Sequence, residues 1–318
     1  MKYCFGVDLG GTAIKIGLFE ECGTLLSKWQ IPTRTENQGE AILFDISKAI
    51  FNKMNEDDIA SEDIIGIGIG VPAAVCDDGI IENATNLGWG YKEVKLELEQ
   101  LTGFSVCVEN DANLAALGEW WRGAGKEYKN FVMVTLGTGV GGGIIIDGHI
   151  VSGVKGGAGE IGEICVDHEL QEDGTVIPRN LEYYASATGV KRIAEQQLAK
   201  DTEKTVLGMD NISAKDVFDA ARTGDAVAIK VLDKFAFYLG KTLNNLAMIL
   251  APEAFVIGGG VSGAGEILLT YVRQYYHVTN TNLILAALGN DAGIYGAQRL
   301  VIGKDGEKYV SISNWSNC

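Results

Sequence analysis

Phe5-Gly-Val-Asp-Leu-Gly-Gly-Thr-Ala-Ile-Lys-Ile-Gly-Leu-Phe19 sets an apolar run, a Gly/Thr-rich turn and a second apolar run in one line. Val132-Met-Val-Thr-Leu-Gly-Thr-Gly-Val-Gly-Gly-Gly-Ile-Ile-Ile146 repeats the plan. Each reads as strand, tight turn, strand. Aligning Asp8 with Thr135 puts Leu9 on Leu136 and Gly10 on Gly137. A turn of Gly and Thr offers backbone N–H groups and a hydroxyl at close range, because Gly has no side chain to hold a ligand off. Two such turns in one chain suggest two grips on one polyphosphate.

Working outward, the first half predicts strands at about 3–8, 13–19 and 24–30, then a helix over about 38–55. That helix carries Ile42, Ile46, Ala49, Ile50 and Met54 at helical spacing. Ile64-Ile-Gly-Ile-Gly-Ile-Gly70 is a strand with glycine at alternate positions, which suits close packing of a helix or backbone on one face. Ser105–Glu109 is a further strand, and a helix runs from about 111 to 121. The second half predicts strands at about 131–136, 142–147 and 149–152, then an irregular, acid-rich stretch over 153–180. Helices follow at about 181–199, 214–222 and 225–250. A strand at 254–258 ends in Gly258-Gly-Gly260, and a helix at 265–276, a strand at 282–286 and a helix at 292–302 complete the pattern. Tyr309-Val-Ser-Ile312 has the composition of a short strand.

At 318 residues the chain suits two domains. Strand hairpins followed by alternating helices and strands, given twice, predict two α/β lobes facing a cleft. The N-terminal lobe spans 1–120 and is rejoined by a C-terminal helix at about 292–318; the other lobe spans 121–291. Its 42 glycines with only 4 prolines point to tight turns rather than disorder. A net charge of −16 repels nucleic acid and anionic membrane, so neither is an expected partner. Any bound polyanion needs neutralising locally. Met1-Lys-Tyr-Cys-Phe runs straight into a strand, so no signal peptide is expected. No apolar run approaches the roughly 18 residues of a membrane helix. The six cysteines are scattered, without a C-x-x-C pair, as in a reduced cytoplasmic protein.

Asp8-Leu-Gly-Gly-Thr12 is not a Walker loop, which needs G-x-x-x-x-G-K-[ST]. It resembles the first phosphate loop of the actin, hexokinase and Hsp70 superfamily, and Gly258-Gly-Gly-Val-Ser262 resembles that superfamily's adenosine loop. In Glu109-Asn-Asp-Ala-Asn113 a strand delivers Asn110 and Asp111 to a helix start. Such residues are often simple N-caps. Phosphoryl transfer to an alcohol also needs a carboxylate near the attacking hydroxyl, which is the other reading of Asp111.

Together with Leu136-Gly-Thr-Gly-Val-Gly-Gly-Gly143, Gly157-Ala-Gly-Glu-Ile-Gly162, Leu181–Gly189, Ile257–Val261 and Asn290-Asp-Ala-Gly293, these motifs resemble the ROK sugar kinases (repressors, open reading frames, kinases) in family order from about residue 3 to 302. The resemblance implies the two-domain actin-like, ribonuclease H-like ATPase fold. It implies an ATP- and Mg²⁺-dependent kinase acting on a hexose, glucose first, with a homodimer as its form. Asp111 matches the catalytic base. Asn110, Glu160 and Glu182 match sugar ligands, with Asn86 and Glu163 beside them. Gly10, Gly11, Thr12, Lys15, Thr138, Gly139, Gly259 and Gly260 match the ATP site, and Asp8 holds Mg²⁺ through water.

The departures sit on the acceptor side. Glu163 stands where the family usually has His, and Asp167–Asn180 lacks the family's C-x-C-G-x-x-G-C run, so no zinc is expected and the segment reads as a longer surface loop. Ala73 replaces a frequent Gly after Pro72. A carboxylate accepts but does not donate at neutral pH, which favours an unmodified hexose over an acetamido sugar at Glu163. Kinases for N-acetylmannosamine, N-acetylglucosamine, fructose, allose or a β-glucoside remain alternatives. So does a sugar-responsive transcriptional regulator, although that branch carries a helix-turn-helix ahead of the first phosphate strand.

Overall fold

A computed structural model of the chain describes residues 1–208 and 211–303. The expected strand at 309–312 and the end of the 292–318 segment lie outside the described residues. By contact the chain divides into two compact units. The first holds residues 1–129, 143–159 and, from 290 on, the last described segment; the second holds 130–142 and 160–289.

The first sheet is built from Tyr3–Leu9 (β1), Ala13–Glu20 (β2), Leu25–Pro32 (β3), Ile64–Val71 (β4) and Val106–Asn110 (β7), in the order β3-β2-β1-β4-β7. The first three strands meander antiparallel, and β4 and β7 join parallel to β1. Between them fall Ile42–Glu56 (α1), the short strands Ile80–Ile81 (β5) and Lys92–Glu93 (β6), and Val94–Thr102 (α2). Asp111–Arg122 (α3) follows β7 directly. The strand pattern did not anticipate α2, whose first turn is announced by no cap residue.

The second sheet is built from Phe131–Leu136 (β8), Val140–Ile146 (β9), His149–Ile150 (β10), Ala254–Gly258 (β13) and Asn282–Leu285 (β14). It repeats the first sheet's order as β10-β9-β8-β13-β14. All five residues of β13 are buried, as an apolar run without alternation predicts for a strand covered on both faces. The helices are Leu181–Ala185 (α4), Ala187–Leu198 (α5), Ala214–Arg222 (α6), Ala226–Leu250 (α7), Glu266–Arg273 (α8) and Ala292–Val301 (α9). The repeated three-plus-two strand order is the α/β plan expected for a ribonuclease H-like chain.

Two expectations change. Residues 164–180 are not an irregular loop: Cys165–Leu170 (β11) and Val176–Asn180 (β12) pair as an antiparallel hairpin. Both strands are largely exposed, so they show no period-two signal. Asp173-Gly174, with Gly174 at φ 84, was the turn signal that could have marked it. The helix expected over 181–199 is two helices. Ser186 leaves helical geometry at φ −81, ψ 166 and accepts a hydrogen bond from Gly189 N at 2.9 Å as the cap of α5.

The alternating glycines of β4 find their partner at the far end of the chain. A Cβ on Gly68 would stand 1.9 Å from the Ala297 carbonyl oxygen, and one on Gly6 of β1 would stand 2.3 Å from that of Ile294. Helix α9 therefore lies backbone-close on β1 and β4. Gly118 of α3 and Gly296 of α9 allow the same approach between the two helices.

Candidate active site

In the first unit, Asp8 and Lys15 are opposite residues of β1 and β2. Their Oδ2 and Nζ atoms lie 3.1 Å apart, and Lys15 also donates to the Asn290 carbonyl at 3.2 Å. The turn between them closes with Gly10 N donating to Ala13 O at 3.2 Å, leaving Gly11 and Thr12 exposed. Thr33 fixes it from the side, its hydroxyl donating to Gly10 O at 2.6 Å. Gly11 faces Asn86, whose Cβ would be 3.9 Å from a Cβ added there. Gly293 at the start of α9 packs against Asp8: an added Cβ would be 2.8 Å from the Asp8 carboxyl carbon. Asp8 has two oxygens and about four lone-pair sites. One oxygen meets Lys15, and a hydrated Mg²⁺ asks for only one or two carboxylates besides phosphate. Asp8 therefore fits the metal role. Among the described residues no group of three or more His, Cys, Asp or Glu forms a cage for a metal.

Asn110 caps α3: its Oδ1 accepts from Ala112 N at 2.9 Å and Asn113 N at 3.1 Å, and its Nδ2 donates to Ala73 O at 3.1 Å. The N-cap role and the ligand role are compatible, since one amide hydrogen is not used by these bonds. Ala73, one of the departures, thus offers its carbonyl to the amide that orients Asn110. Asp111 is the first helical residue, with Oδ1 accepting from Ala112 N at 2.8 Å. Sequence reasoning gave Glu109 no role. The structure holds it half-buried, with Asn110 N at 2.8 Å, Asn113 Nδ2 at 3.0 Å and Ser152 Oγ at 3.2 Å as donors. Burial pushes its carboxyl above the ordinary range, against the pull of these bonds. Its place in the quoted motif was the available signal.

In the second unit the turn closes more tightly, with Gly137 N donating to Gly139 O at 2.9 Å. Thr138 is exposed, and its carbonyl accepts from Thr188 Oγ1 at 2.9 Å. Thr138 and Gly260 line one cavity of about 670 Å³. Its other walls include Phe218, Lys215 and Arg222 of α6 and Ser213 ahead of it. An apolar pocket with a few polar groups suits a nucleoside. Arg222 donates to the carbonyl of Ala264, tying α6 to the glycine loop after β13. This wall was missed from sequence. Ser213 and Asp216 form a capping box, a legible helix start without a legible ligand. Gly259 does not line the cavity but supports it. At φ 79 and ψ 175, a Cβ there would be 2.6 Å from the Leu136 backbone.

Glu160, Glu163 and Glu182 also belong to this unit. The Glu160 carboxyl is raised above the ordinary range by partial burial and then by the charges of Glu163 and Glu182. Glu163 Oε2 accepts from Asn180 Nδ2 at 3.0 Å. Glu182 Oε2 accepts from Val140 N at 2.9 Å, at the end of the second turn. Gly139 has no side chain because that carboxylate lies against it: an added Cβ would be 2.4 Å from Oε2. Glu182 thus ties α4 to the turn between β8 and β9.

Comparison with known proteins places the chain in a family. The chain is 43% identical to a glucokinase of Halalkalibacterium halodurans over 94% of its own length and 95% of that protein's. It is similar in structure to a ROK family glucokinase from Streptomyces griseus in complex with glucose and AMPPNP, at TM-score 0.76 and 34% identity, covering 94% of this chain and 98% of that one. A ROK hexokinase from Thermus thermophilus is also similar, at TM-score 0.74 and 29% identity, covering 93% of this chain and 96% of that one. The ROK family profile matches residues 4–304, almost the whole length described above, and the chain belongs to that family.

Proposed function

We propose that this enzyme transfers the γ-phosphoryl group of ATP to a hexose hydroxyl, converting glucose to glucose 6-phosphate. The observation that carries the acceptor side is the trio Glu160, Glu163 and Glu182. These three carboxylates, near enough for the charges of Glu163 and Glu182 to act on Glu160, offer several acceptors, and a polyol supplies several hydroxyl donors at once. The cavity beside Thr138 and Gly260 supports a nucleoside on the donor side. The glucose and AMPPNP bound by the Streptomyces griseus relative support the same pair of ligands here.

The 6-hydroxyl oxygen attacks the γ-phosphorus, its proton passes to Asp111, and ADP leaves. Asn110 orients the sugar beside that carboxylate. The Gly10–Thr12 and Thr138–Gly139 turns present N–H groups and hydroxyls to the phosphates. Asp8 would hold Mg²⁺, which would supply charge neutralisation at the phosphates. The free cysteines among the described residues support a cytoplasmic setting, and family resemblance supports a homodimer. Among the described residues no helix is long and apolar enough to cross a membrane.

The test is Asp111→Asn, assayed with glucose and ATP in a coupled kinase assay beside direct sugar-binding calorimetry. Turnover falls by about 10²–10⁴ while glucose still binds. Near-normal turnover rules out Asp111 as the base.

A further inference from the structure

The hairpin that replaces the family's cysteine run does not fit zinc. Cys165 Sγ and His168 Nε2 lie 3.7 Å apart, but two donors do not close a tetrahedral site. The nearby carboxylates are committed elsewhere. Glu169 accepts from Arg179 Nε at 2.8 Å. Asp167 Oδ2 accepts from Tyr184 OH at 3.0 Å and from Tyr238 OH, while its Oδ1 accepts from His168 N at 2.8 Å. The two tyrosine rings stack at 3.6 Å between centroids and 12° between planes, joining α4 to α7 beneath the hairpin. Lys241 of α7 donates to Val166 O at 3.1 Å, where the strand register slips between Cys165 and Asp167.

We propose that the Asp167–Tyr184–Tyr238 cluster is a metal-free anchor that positions the sugar-binding carboxylates. The hairpin buries little apolar surface of its own, so its placement depends on these polar ties. Its second strand ends at Asn180, which performs two tasks. Asn180 Oδ1 caps α4 by accepting from Tyr183 N at 3.0 Å, which fixes the helix start carrying Glu182. Asn180 Nδ2 donates to Glu163. The Leu181 N to Ile164 O bond, at 2.9 Å, closes the base of the hairpin. Asp167 pairs across the hairpin with Arg179, the residue before Asn180. Movement of Asp167 is thereby passed to both Glu163 and Glu182, while the wall of the nucleoside cavity contributed by α6 has no part in the chain of contacts. Asp167 is a positioning residue; its effect reaches Glu163 and Glu182 first, and the Thr138–Gly139 turn only through the Val140 N to Glu182 bond.

The inference rests on the reading of Glu163 and Glu182 as sugar ligands, and the experiment separates the two. Asp167→Ala, Asp167→Asn and Tyr238→Phe are compared with Glu182→Gln in glucose and ATP kinetics and in amide hydrogen exchange. Asp167→Ala raises the KM for glucose by about tenfold, as a small misplacement of binding groups does, and changes the KM for ATP less than twofold. Asp167→Asn, which retains an acceptor oxygen, recovers part of the loss. Exchange at the Tyr183 amide accelerates in Asp167→Ala. Treatment with 1,10-phenanthroline leaves the wild-type enzyme active when assayed with Mg²⁺, and metal analysis finds zinc well below one per chain. Tyr238→Phe removes a single hydroxyl and carries the same comparison if Asp167→Ala does not fold. Unchanged kinetics with unchanged exchange, an equal rise in both KM values, or stoichiometric zinc lost together with activity overturns the anchor. If Glu182→Gln leaves the glucose KM unchanged while exchange at Tyr183 still accelerates in Asp167→Ala, the sugar-ligand reading fails and the anchor stands as a structural one.

Discussion

If Glu160 binds the sugar as proposed, acidity and sugar binding meet at one residue. Its carboxyl is held above the ordinary range by partial burial and by two like charges. Ionised, it offers both oxygens as charged acceptors to hydroxyls; protonated, it keeps an acceptor oxygen but loses the stronger charge-assisted bonds. As pH falls, Glu160 gains its proton earlier than an ordinary Glu, whose pKa is about 4.3, so the KM for glucose rises above that range. Glu163→Gln removes one neighbouring charge, lowers the Glu160 pKa and moves this acid limb to lower pH. A limb that stays in place in Glu163→Gln removes Glu163 from the interaction. The linkage to folding has the opposite sense. A raised carboxyl favours the folded state below its unfolded pKa, and that contribution is lost as pH rises through the folded value. The apoprotein of Glu163→Gln is therefore more heat-stable than wild type at neutral pH and gains less in acid, which a thermal melt series checks. The residue types at 160, 163 and 182 were legible in the sequence. Their mutual influence was not, because it depends on a hairpin that brings Asn180 to Glu163.

At the level of elements, the turns carry most of what the sequence disclosed. Strand, Gly/Thr turn and strand were readable twice because tight turns demand particular residues at fixed offsets. The loop after β13 was readable for the same reason, and Gly259 shows why. Its φ of 79 and ψ of 175 lie in a region open essentially to glycine alone, and Leu136 backbone fills the space beside it. Gly259→Ala costs about 1–3 kcal/mol of stability and raises the KM for ATP more than that for glucose, measured by chemical denaturation and steady-state kinetics. Equal effects on both substrates contradict the placement of this loop at the nucleoside. Elements held by side chains rather than by turns were harder to read. The exposed hairpin of β11 and β12 has no alternating face, and helix α2 has no cap hydrogen bond to mark its start. Asp167 looks like any surface acid until Tyr184 and Tyr238 are placed around it.

For the whole molecule, the strand order repeats but the chain does not divide cleanly in sequence. The first unit takes back residues 143–159 and the last helix. Glycine alternation in β4 predicted that something would lie close on that face, without saying what. The answer, α9, is more than two hundred residues away, a separation that local pattern does not report. Trp121 Nε1 donates to Gln298 Oε1 at 3.1 Å, and Arg299 stacks over the same indole at 5.1 Å. Gly296→Val places a branched side chain where an added Cβ would already stand 1.8 Å from Leu114 O. Such overpacking costs about 1–3 kcal/mol or more. Proteolysis of this variant begins within residues 1–129, and cleavage confined to 160–289 contradicts the assignment of α9 to the first unit. The glycine-lined seat of α9 also sets a schedule during synthesis. The ribosome releases all of 130–289 before it releases Ala292–Val301. The usual order, in which the leading domain of a nascent chain folds first, is therefore inverted: the unit that leaves the ribosome first is the last to be completed. Its β1 and β4 face stays without its helical cover until Ala292–Val301 has been made.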